Sequence, residues 1–430
     1  MKQGARWWFD VSYTQTETGN IGITRTVRRL YEELNGIASV RGADFQPVVF
    51  HDHGYRHVDW PRHAAERMAG RGKKDQTAAG KVFSWVTGPG MRKLVLLSLW
   101  LFPWSLLYWF WRWSSGLLFS LRSREYAPAS FQPGDVLFIA DASWNYPVWV
   151  AAKMARDHGV RVVLLVYDIM PLRHPEFCFA LVPYIFRTWL LKMISCSDAI
   201  VCISHATELD LLSWAKEGHG AQPLPPTGCF YLGCDPVTGS DNAVVRESIR
   251  HFMSGDTPCF AAIGSIEPKK NYGVLLAVFE RLWAAGHVQR LVLAGRPAAE
   301  CKELVQALVR HTEQGNRLLT LFDATDAEII YMYNNARALL FPSLAEGFGL
   351  PLVEARTLGC PVIASDLPVF VELSDSGVTL FDRFAPEQLE ATIVEQSLAS
   401  KRGLSEPMPD FTWANSAKAC VDLIERLLLP

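Results

Sequence analysis

The sequence predicts an α/β protein built on two doubly wound, mainly parallel sheets, and three observations carry that prediction. At 430 residues the chain is long for a single hydrophobic core, so two domains of ordinary size are expected. Hydrophobic residues make up 49% and charged residues 20%, which suits a globular protein and argues against disorder. Two successive series of short apolar runs are mostly separated by helix-length segments, the spacing that parallel strands require. A net charge of −2 gives no reason to expect a nucleic-acid partner.

The first series opens with Trp7-Trp8-Phe9-Asp10-Val11, which reads as a buried strand. A polar loop ending in Thr18-Gly19-Asn20-Ile21-Gly22-Ile23 follows, then helical periodicity from Thr24 to Leu34 through Val27, Leu30, Tyr31 and Leu34. Strand, glycine loop and helix form the opening of a Rossmann-like unit. Further strands are expected at Phe45–Phe50, Asp135–Ala140, Arg161–Tyr167 and Ala199–Ile203. The second series follows the proline-rich stretch Gln222–Thr227 and the segment Cys229–Pro236. Its strands are expected at Cys259–Ile263, Arg290–Ala294, Leu318–Phe322, Ala338–Phe341 and Pro361–Ala364, with helices over Tyr272–Ala285 and Ala299–Gln314. The expected division is 1–238 for the first domain, 239–405 for the second, and 406–430 for a closing helix.

The nine cysteines are scattered, odd in number and without C-x-x-C or zinc spacing. They read as reduced core residues of a cytosolic protein. Met1–Arg6 runs straight into a strand-like segment, with no secretory signal expected. Leu94 to Trp111 is the outlier, eighteen residues without a charge inside an insertion over about 82–124. Five of the fifteen tryptophans fall in or beside it, at 100, 104, 109, 111 and 113, and Pro103 interrupts it. A single crossing would separate the first strand from its own sheet. The preferred reading is therefore a hairpin lying in one bilayer leaflet. A buried insertion, an oligomer contact and a true span are the alternatives.

The strongest chemical signal is Phe341-Pro342-Ser343-Leu344-Ala345-Glu346-Gly347-Phe348-Gly349-Leu350-Pro351-Leu352-Val353-Glu354-Ala355. A strand ends at Phe341, Gly347 and Gly349 allow close backbone approach, and Pro351 marks the start of a helix. The free amides of that helix would meet an anion at the carboxyl edge of the sheet. Glu346 and Glu354 would accept hydrogen bonds from a ligand's hydroxyls. Either glutamate alone reads as a solvated surface residue; the whole string favours a site. A second string, Gly264-Ser265-Ile266-Glu267-Pro268-Lys269-Lys270-Asn271, sets two ammonium groups beside a glycine turn and a helix start, a suitable grip for a diphosphate. Asp168, in Val166-Tyr167-Asp168-Ile169-Met170, lies at the end of a first-half strand. It is the candidate for orienting or deprotonating a hydroxyl. His174 reads as a structural loop residue with a weaker claim, and Ser204 as a strand-end serine or only the N-cap of the following helix. Arg25 and Arg28 read equally as solvated or as attracting a phosphate.

Together these strings resemble the retaining family 4 glycosyltransferases, whose E-x7-E motif corresponds to Glu346 and Glu354. The resemblance covers Asp10–Leu34, Leu164–Leu212, Leu232–Asp235 and the chain from Ala262 onward. It implies the GT-B fold: two facing Rossmann-like domains with an interdomain cleft, here with a hydrophobic insertion in the N-terminal, acceptor-side domain. It implies that Glu346 contacts the donor sugar and Glu354 the nucleotide ribose. Lys270, helped by Lys269, would bind the diphosphate, with Gly22, Gly264, Gly347, Phe348, Gly349 and Leu350 lining the donor. Glu346, Asp168 and Lys270 would be the catalytic residues. Ser265 stands where many relatives carry arginine, Lys269 where the variant string usually does, and Tyr167 where relatives often carry histidine. Phe411-Thr412-Trp413 is similar to the family's closing F-S-W element, with Trp413 expected to pack.

The resemblance further implies hexose transfer from a nucleoside-diphosphate sugar, GDP-mannose first because the E-P-K-K-N string resembles mannosyltransferases. Transfer would retain anomeric configuration and need no metal or other cofactor. The acceptor would be a hydroxyl of a glycan or polyprenyl-linked glycan in surface polysaccharide synthesis. The expected location is the cytoplasm, peripheral on the cytoplasmic face of the inner membrane. A sugar-nucleotide epimerase of the same fold and a non-catalytic glycan-assembly scaffold are the competing expectations.

Overall fold

The computed structural model describes residues 1, 6–17, 22–51, 53–60, 127–218, 223–234, 244–398 and 411–429. The Trp-rich insertion, Gly19 and residues 235–243 between the two strand series lie outside the described residues. Among the described residues, no helix is long and apolar enough to cross a membrane.

Thirteen strands are described: β1 (Arg6–Asp10), β2 (Asp44–His51), β3 (Gly54–His57), β4 (Val136–Ile139), β5 (Arg161–Val166), β6 (Ala199–Cys202), β7 (Thr227–Cys229), β8 (Cys259–Ile263), β9 (Arg290–Ala294), β10 (Leu318–Leu321), β11 (Leu339–Phe341), β12 (Val362–Ser365) and β13 (Val378–Phe381). The first sheet has the order β3-β2-β1-β4-β5-β6-β7 and the second β10-β9-β8-β11-β12-β13. Pairings in the second sheet are parallel, with Ala261 opposite both Val292 and Leu339. The hairpin β2–β3 is antiparallel. Central strands such as β4, β6, β8 and β12 are buried along their whole length. Their continuous apolar runs are what a sheet covered on both faces demands.

By their contacts the residues divide into two compact units. One holds Lys2–Arg28 with Gly42–Val162; the other holds Met1, Arg29–Arg41 and Val163–Pro430. In the first unit, Phe9 packs edge-on to Phe138 with ring centroids 5.7 Å apart, and the Trp8 indole N–H donates to Asp135 at 2.8 Å. Asp10, the last residue of β1, and Asp141, two residues past β4, are both buried there.

The second unit carries the six-stranded sheet and its helices. The helix Tyr272–Ala284 buries Tyr272, Leu275, Leu276, Phe279 and Leu282, the three-and-four spacing of a single apolar stripe. It joins a core with Phe260, Leu293, Leu340 and Ile363. Each fully buried aliphatic or phenyl side chain there contributes roughly 1.5–3 kcal/mol. The helix Trp413–Leu427 packs on β6 and β7. A Cβ on Gly228 would stand 2.7 Å from Leu423, and one on Gly233 only 2.4 Å from the Trp413 backbone. Trp413 is 1% exposed, a packing residue.

None of the nine cysteines is joined in a disulfide, and all but Cys178 and Cys229 are buried.

Candidate active site

Three chain segments meet at the carboxyl ends of β5, β8 and β11. Each leaves its strand for a loop and then a helical turn, which places exposed backbone amides and polar side chains at the sheet edge where α/β folds bind ligands.

The loop after β11 is held tightly. Gly347 sits against the first sheet's strand end: a Cβ there would lie 2.1 Å from the Tyr167 carbonyl oxygen and 3.1 Å from the Asp168 Cβ. The Gly347 carbonyl accepts from Ser204 Oγ at 2.7 Å and Thr207 Oγ1 at 3.1 Å. Ser204 meanwhile caps the helix His205–Lys216, accepting from the Thr207 N–H at 3.0 Å. Gly349 caps the helix Leu350–Thr357 with φ of 100°, a left-handed conformation that a side chain would resist, and a Cβ would meet Phe370 at 2.6 Å. Both glycines thus have reasons internal to the protein, beyond any approach of a ligand. Phe348 is buried and its ring lies 6.2 Å from Tyr231, while Leu350 is half-buried.

The loop after β8 supplies the cations. Residues Pro268–Lys270 form a tight helical turn, and Asn271 adopts a left-handed φ of 57° to start the next helix. The Lys269 carbonyl accepts from the Leu344 N–H at 2.7 Å, tying this loop to the one after β11. Lys270 Nζ donates to Glu346 and stands 4.9 Å above the Phe341 ring. Their side chains are only 8% and 10% exposed, so this is a buried ion pair. Glu346 also accepts from Ser343 Oγ at 2.8 Å. Gly264 lies alongside: a Cβ on it would be 3.6 Å from Lys270 Cε.

The electrostatics of the cluster are interdependent. Burial pushes the Glu346 carboxyl up, but Lys270, Lys269 and the hydrogen bonds outweigh it and hold the group below its ordinary range. Burial would lower the Lys269 ammonium; Glu346, Asp168 and Glu267 keep it raised. Asp168 goes the other way. Burial raises it, and neither Lys269 nor the Met170 N–H at 3.0 Å brings it back. An ionised Glu346, a charged Lys269 and a carboxyl of enhanced basicity at Asp168 therefore coexist.

Glu354, in the helix Leu350–Thr357, accepts from the buried Tyr333 hydroxyl at 2.9 Å. The structure thus brings together Asp168, Gly264, Lys269, Lys270, Glu346 and Gly347, with Phe348, Gly349, Leu350 and Glu354 following in the same loop and helix. Gly22 belongs to the other unit, exposed with φ of 54°. His174 hydrogen-bonds Glu176 at 3.1 Å and stacks on Phe177 at the surface. Arg28 donates to the Glu17 carbonyl at 2.7 Å.

Sequence reasoning passed over Ser343, Thr207 and Tyr333. Ser343 stands three residues before Glu346 inside the quoted string, a spacing that would have flagged it; Tyr333, on a separate helix, offers no such signal. It also passed over Asp10 and Asp141, whose signal is an acidic residue closing an apolar run in both Trp7–Asp10 and Val136–Asp141. Asp141 accepts from the Tyr13, Thr14 and Ala142 N–H groups at 2.8, 2.7 and 2.8 Å. Asp10 accepts from the Ser12 N–H at 3.0 Å, and burial followed by the Asp141 charge pushes its carboxyl up to about 7.

Residues 246–401 match the family described as Glycosyl transferases group 1. Over 306 residues the chain is 31% identical to the serotype-specific mannosyltransferase WbdA of Escherichia coli, a match covering 68% of this chain and 37% of WbdA. The chain therefore spans little more than a third of that relative's length. Among solved structures, the N-terminal domain of Candida albicans trehalose-6-phosphate phosphatase superposes with a TM-score of 0.65 at 13% identity, covering 100% of this chain and 98% of that one. HepE of Anabaena, crystallised with UDP and glucose, superposes with a TM-score of 0.55 at 14% identity, covering 97% and 95%. The fold is mixed α/β with parallel sheets, of the GT-B class.

Proposed function

We propose that this chain is a glycosyltransferase that moves a hexose from a nucleoside-diphosphate sugar, GDP-mannose first, to a hydroxyl of a glycan or polyprenyl-linked glycan in surface polysaccharide synthesis. The observation that carries the reading is the Lys270–Glu346 pair, flanked by Lys269 and Asp168, with Glu346 in the loop that leads into the glycine-capped helix Leu350–Thr357. The match of residues 246–401 to group 1 glycosyltransferases and the likeness to a mannosyltransferase support it.

In this reading the donor's diphosphate lies between the two ammonium groups and the free amides of that helix, which stabilise the charge that develops as it departs. Glu346 holds the sugar hydroxyls and Glu354 the ribose. Gly264, Gly347, Phe348, Gly349 and Leu350 shape the surface on which the donor rests. The bond from the anomeric carbon to the diphosphate breaks and a bond to the acceptor oxygen forms on the same face, so configuration is retained. The acceptor proton passes to the departing phosphate oxygen, with Asp168 orienting the hydroxyl. Ammonium groups and helix amides supply this stabilisation, so the transfer step needs no metal. An acceptor joined to a lipid would place the protein on the cytoplasmic face of the inner membrane.

A panel of nucleoside-diphosphate sugars, assayed for nucleotide release with and without glycan acceptor, tests the proposal. Release only with acceptor is the expected result. Release without acceptor would assign the chain as a donor-rearranging epimerase, and absence of binding would assign it as a scaffold.

A further inference from the structure

The N-terminus of the helix His205–Lys216 and the neighbouring strand β7 bring three different metal-ligating side chains together. The ligand atoms of His205, Glu208 and Cys229 all lie within 4.8 Å of one another. We infer that these three residues bind one zinc-like transition-metal ion, a site separate from the chemistry of sugar transfer.

The placement follows from local structure. His205 and Glu208 are three apart on one helix, hence on one face. Thr227 and Cys229 alternate along β7 and so project to one side of their sheet. His205 Nδ1 is 3.3 Å from Glu208 Oε2. A tetrahedral zinc with nitrogen and oxygen ligands at about 2.1 Å holds such atoms roughly 3.4 Å apart. Two of the three ligands are therefore already at coordinating separation. The thiol sulfur lies within 4.8 Å of both other ligand atoms, and the His205 side chain is 57% exposed.

The surroundings fit an ion as well as the ligands do. The other Glu208 oxygen, Oε1, accepts from Thr227 Oγ1 at 3.1 Å, which fixes the carboxylate as outer partners do in metal sites. Glu372 adds a further negative charge, its two oxygens capping the His205 and Ala206 N–H groups at 2.7 Å each. This negative potential attracts a divalent cation, and coordination releases the thiol proton to solvent. A nitrogen, sulfur and oxygen set favours zinc over magnesium or calcium, and three protein ligands leave a fourth position for water. Occupancy would tie β7 to the helix whose Ser204 and Thr207 hold the Gly347 carbonyl.

The test uses the full chain, stripped with a chelator, desalted, kept reduced without added thiol, and titrated with cobalt(II). A thiolate-to-cobalt charge-transfer band saturating at one equivalent, and displaced by zinc, is the expected result. Cys229→Ser should abolish the band. His205→Ala, at an exposed side chain where folding is not at stake, should weaken cobalt binding by at least about tenfold. Zinc should raise the melting temperature of the native chain but not of Cys229→Ser. No band in the native chain, or an unchanged band in Cys229→Ser, overturns the inference and leaves three side chains that merely hydrogen-bond one another. None of these readouts needs a donor sugar, so this result and the fate of the proposed function are independent.

Discussion

Replacing Lys270 by methionine should destabilise the second unit by about 3 kcal/mol, because it strands a buried carboxylate rather than because it removes a favourable pair. The Lys270 and Glu346 side chains are 8% and 10% exposed, so water screens neither. Breaking a buried pair by removing one partner costs about 3–5 kcal/mol, whereas replacing both partners is close to neutral. The low end applies because Glu346 keeps Ser343 at 2.8 Å and the nearby Lys269 charge. The double variant Lys270→Met with Glu346→Gln should therefore be more stable than Lys270→Met alone. The sign of the pH dependence sharpens this. In the native chain Glu346 is held below its ordinary range, so its contribution is present above that range and lost as pH falls through the depressed value. Without Lys270, burial dominates and the carboxyl rises, so stability is then greatest in acid and lost as pH increases. The deficit of Lys270→Met should grow from acid to neutral pH. Urea unfolding of the native chain, Lys270→Met, Glu346→Gln and the double variant at pH 5 and pH 8 measures all of this. Costs that add to within about 0.5 kcal/mol would show that the two residues are not coupled.

Other outcomes follow from single contacts. Gly347→Ala places a Cβ 2.1 Å from the Tyr167 carbonyl and should cost about 1–3 kcal/mol, read as a lower denaturant midpoint; an unchanged midpoint would contradict the packing described. Asp10, raised to about 7 by burial and then by Asp141, contributes stability at low pH that is lost as pH rises toward 7. Asp10→Asn should flatten that loss between about pH 4 and 7, and parallel curves for the two chains would refute the assignment. Glu328 is brought down to about 2: burial opposes this, but Arg246 and the Thr325 N–H prevail. Its contribution is present above the ordinary glutamate range and lost as pH falls toward 2, so Glu328→Gln should weaken acid sensitivity in pH-dependent melting. Tyr333→Phe removes the hydrogen bond to Glu354 and should raise the KM for donor more than it lowers kcat.

The legible part of the fold was its interior. Runs such as Cys259–Ile263 and Arg290–Ala294 coincide with β8 and β9 because strands covered on both faces must be apolar throughout. The strands that escaped notice, β3, β7 and β13, are all at sheet edges. Gly54–His57 and Val378–Phe381 are only partly buried and show no continuous apolar run, so hydrophobic pattern has little to mark. The glycine and lysine strings of the site were readable because Lys269, Lys270, Glu346 and Glu354 sit in turns and helix starts with their own local signature. The hydrogen bonds from Ser204 and Thr207 to Gly347, and the approach of Tyr167 to that glycine, join residues more than a hundred positions apart. Only tertiary structure reveals them.

The central claim is that a diphosphate is bound by Lys269 and Lys270 against the mouth of the helix Leu350–Thr357. Nucleotide-sugar turnover by the Lys269→Ala, Lys270→Ala double variant, measured below its own unfolding transition, tests it most directly. The account predicts a fall of about 100-fold or more, the loss expected when preorganised stabilisation of a departing anion is removed. Turnover equal to that of the native chain would contradict it.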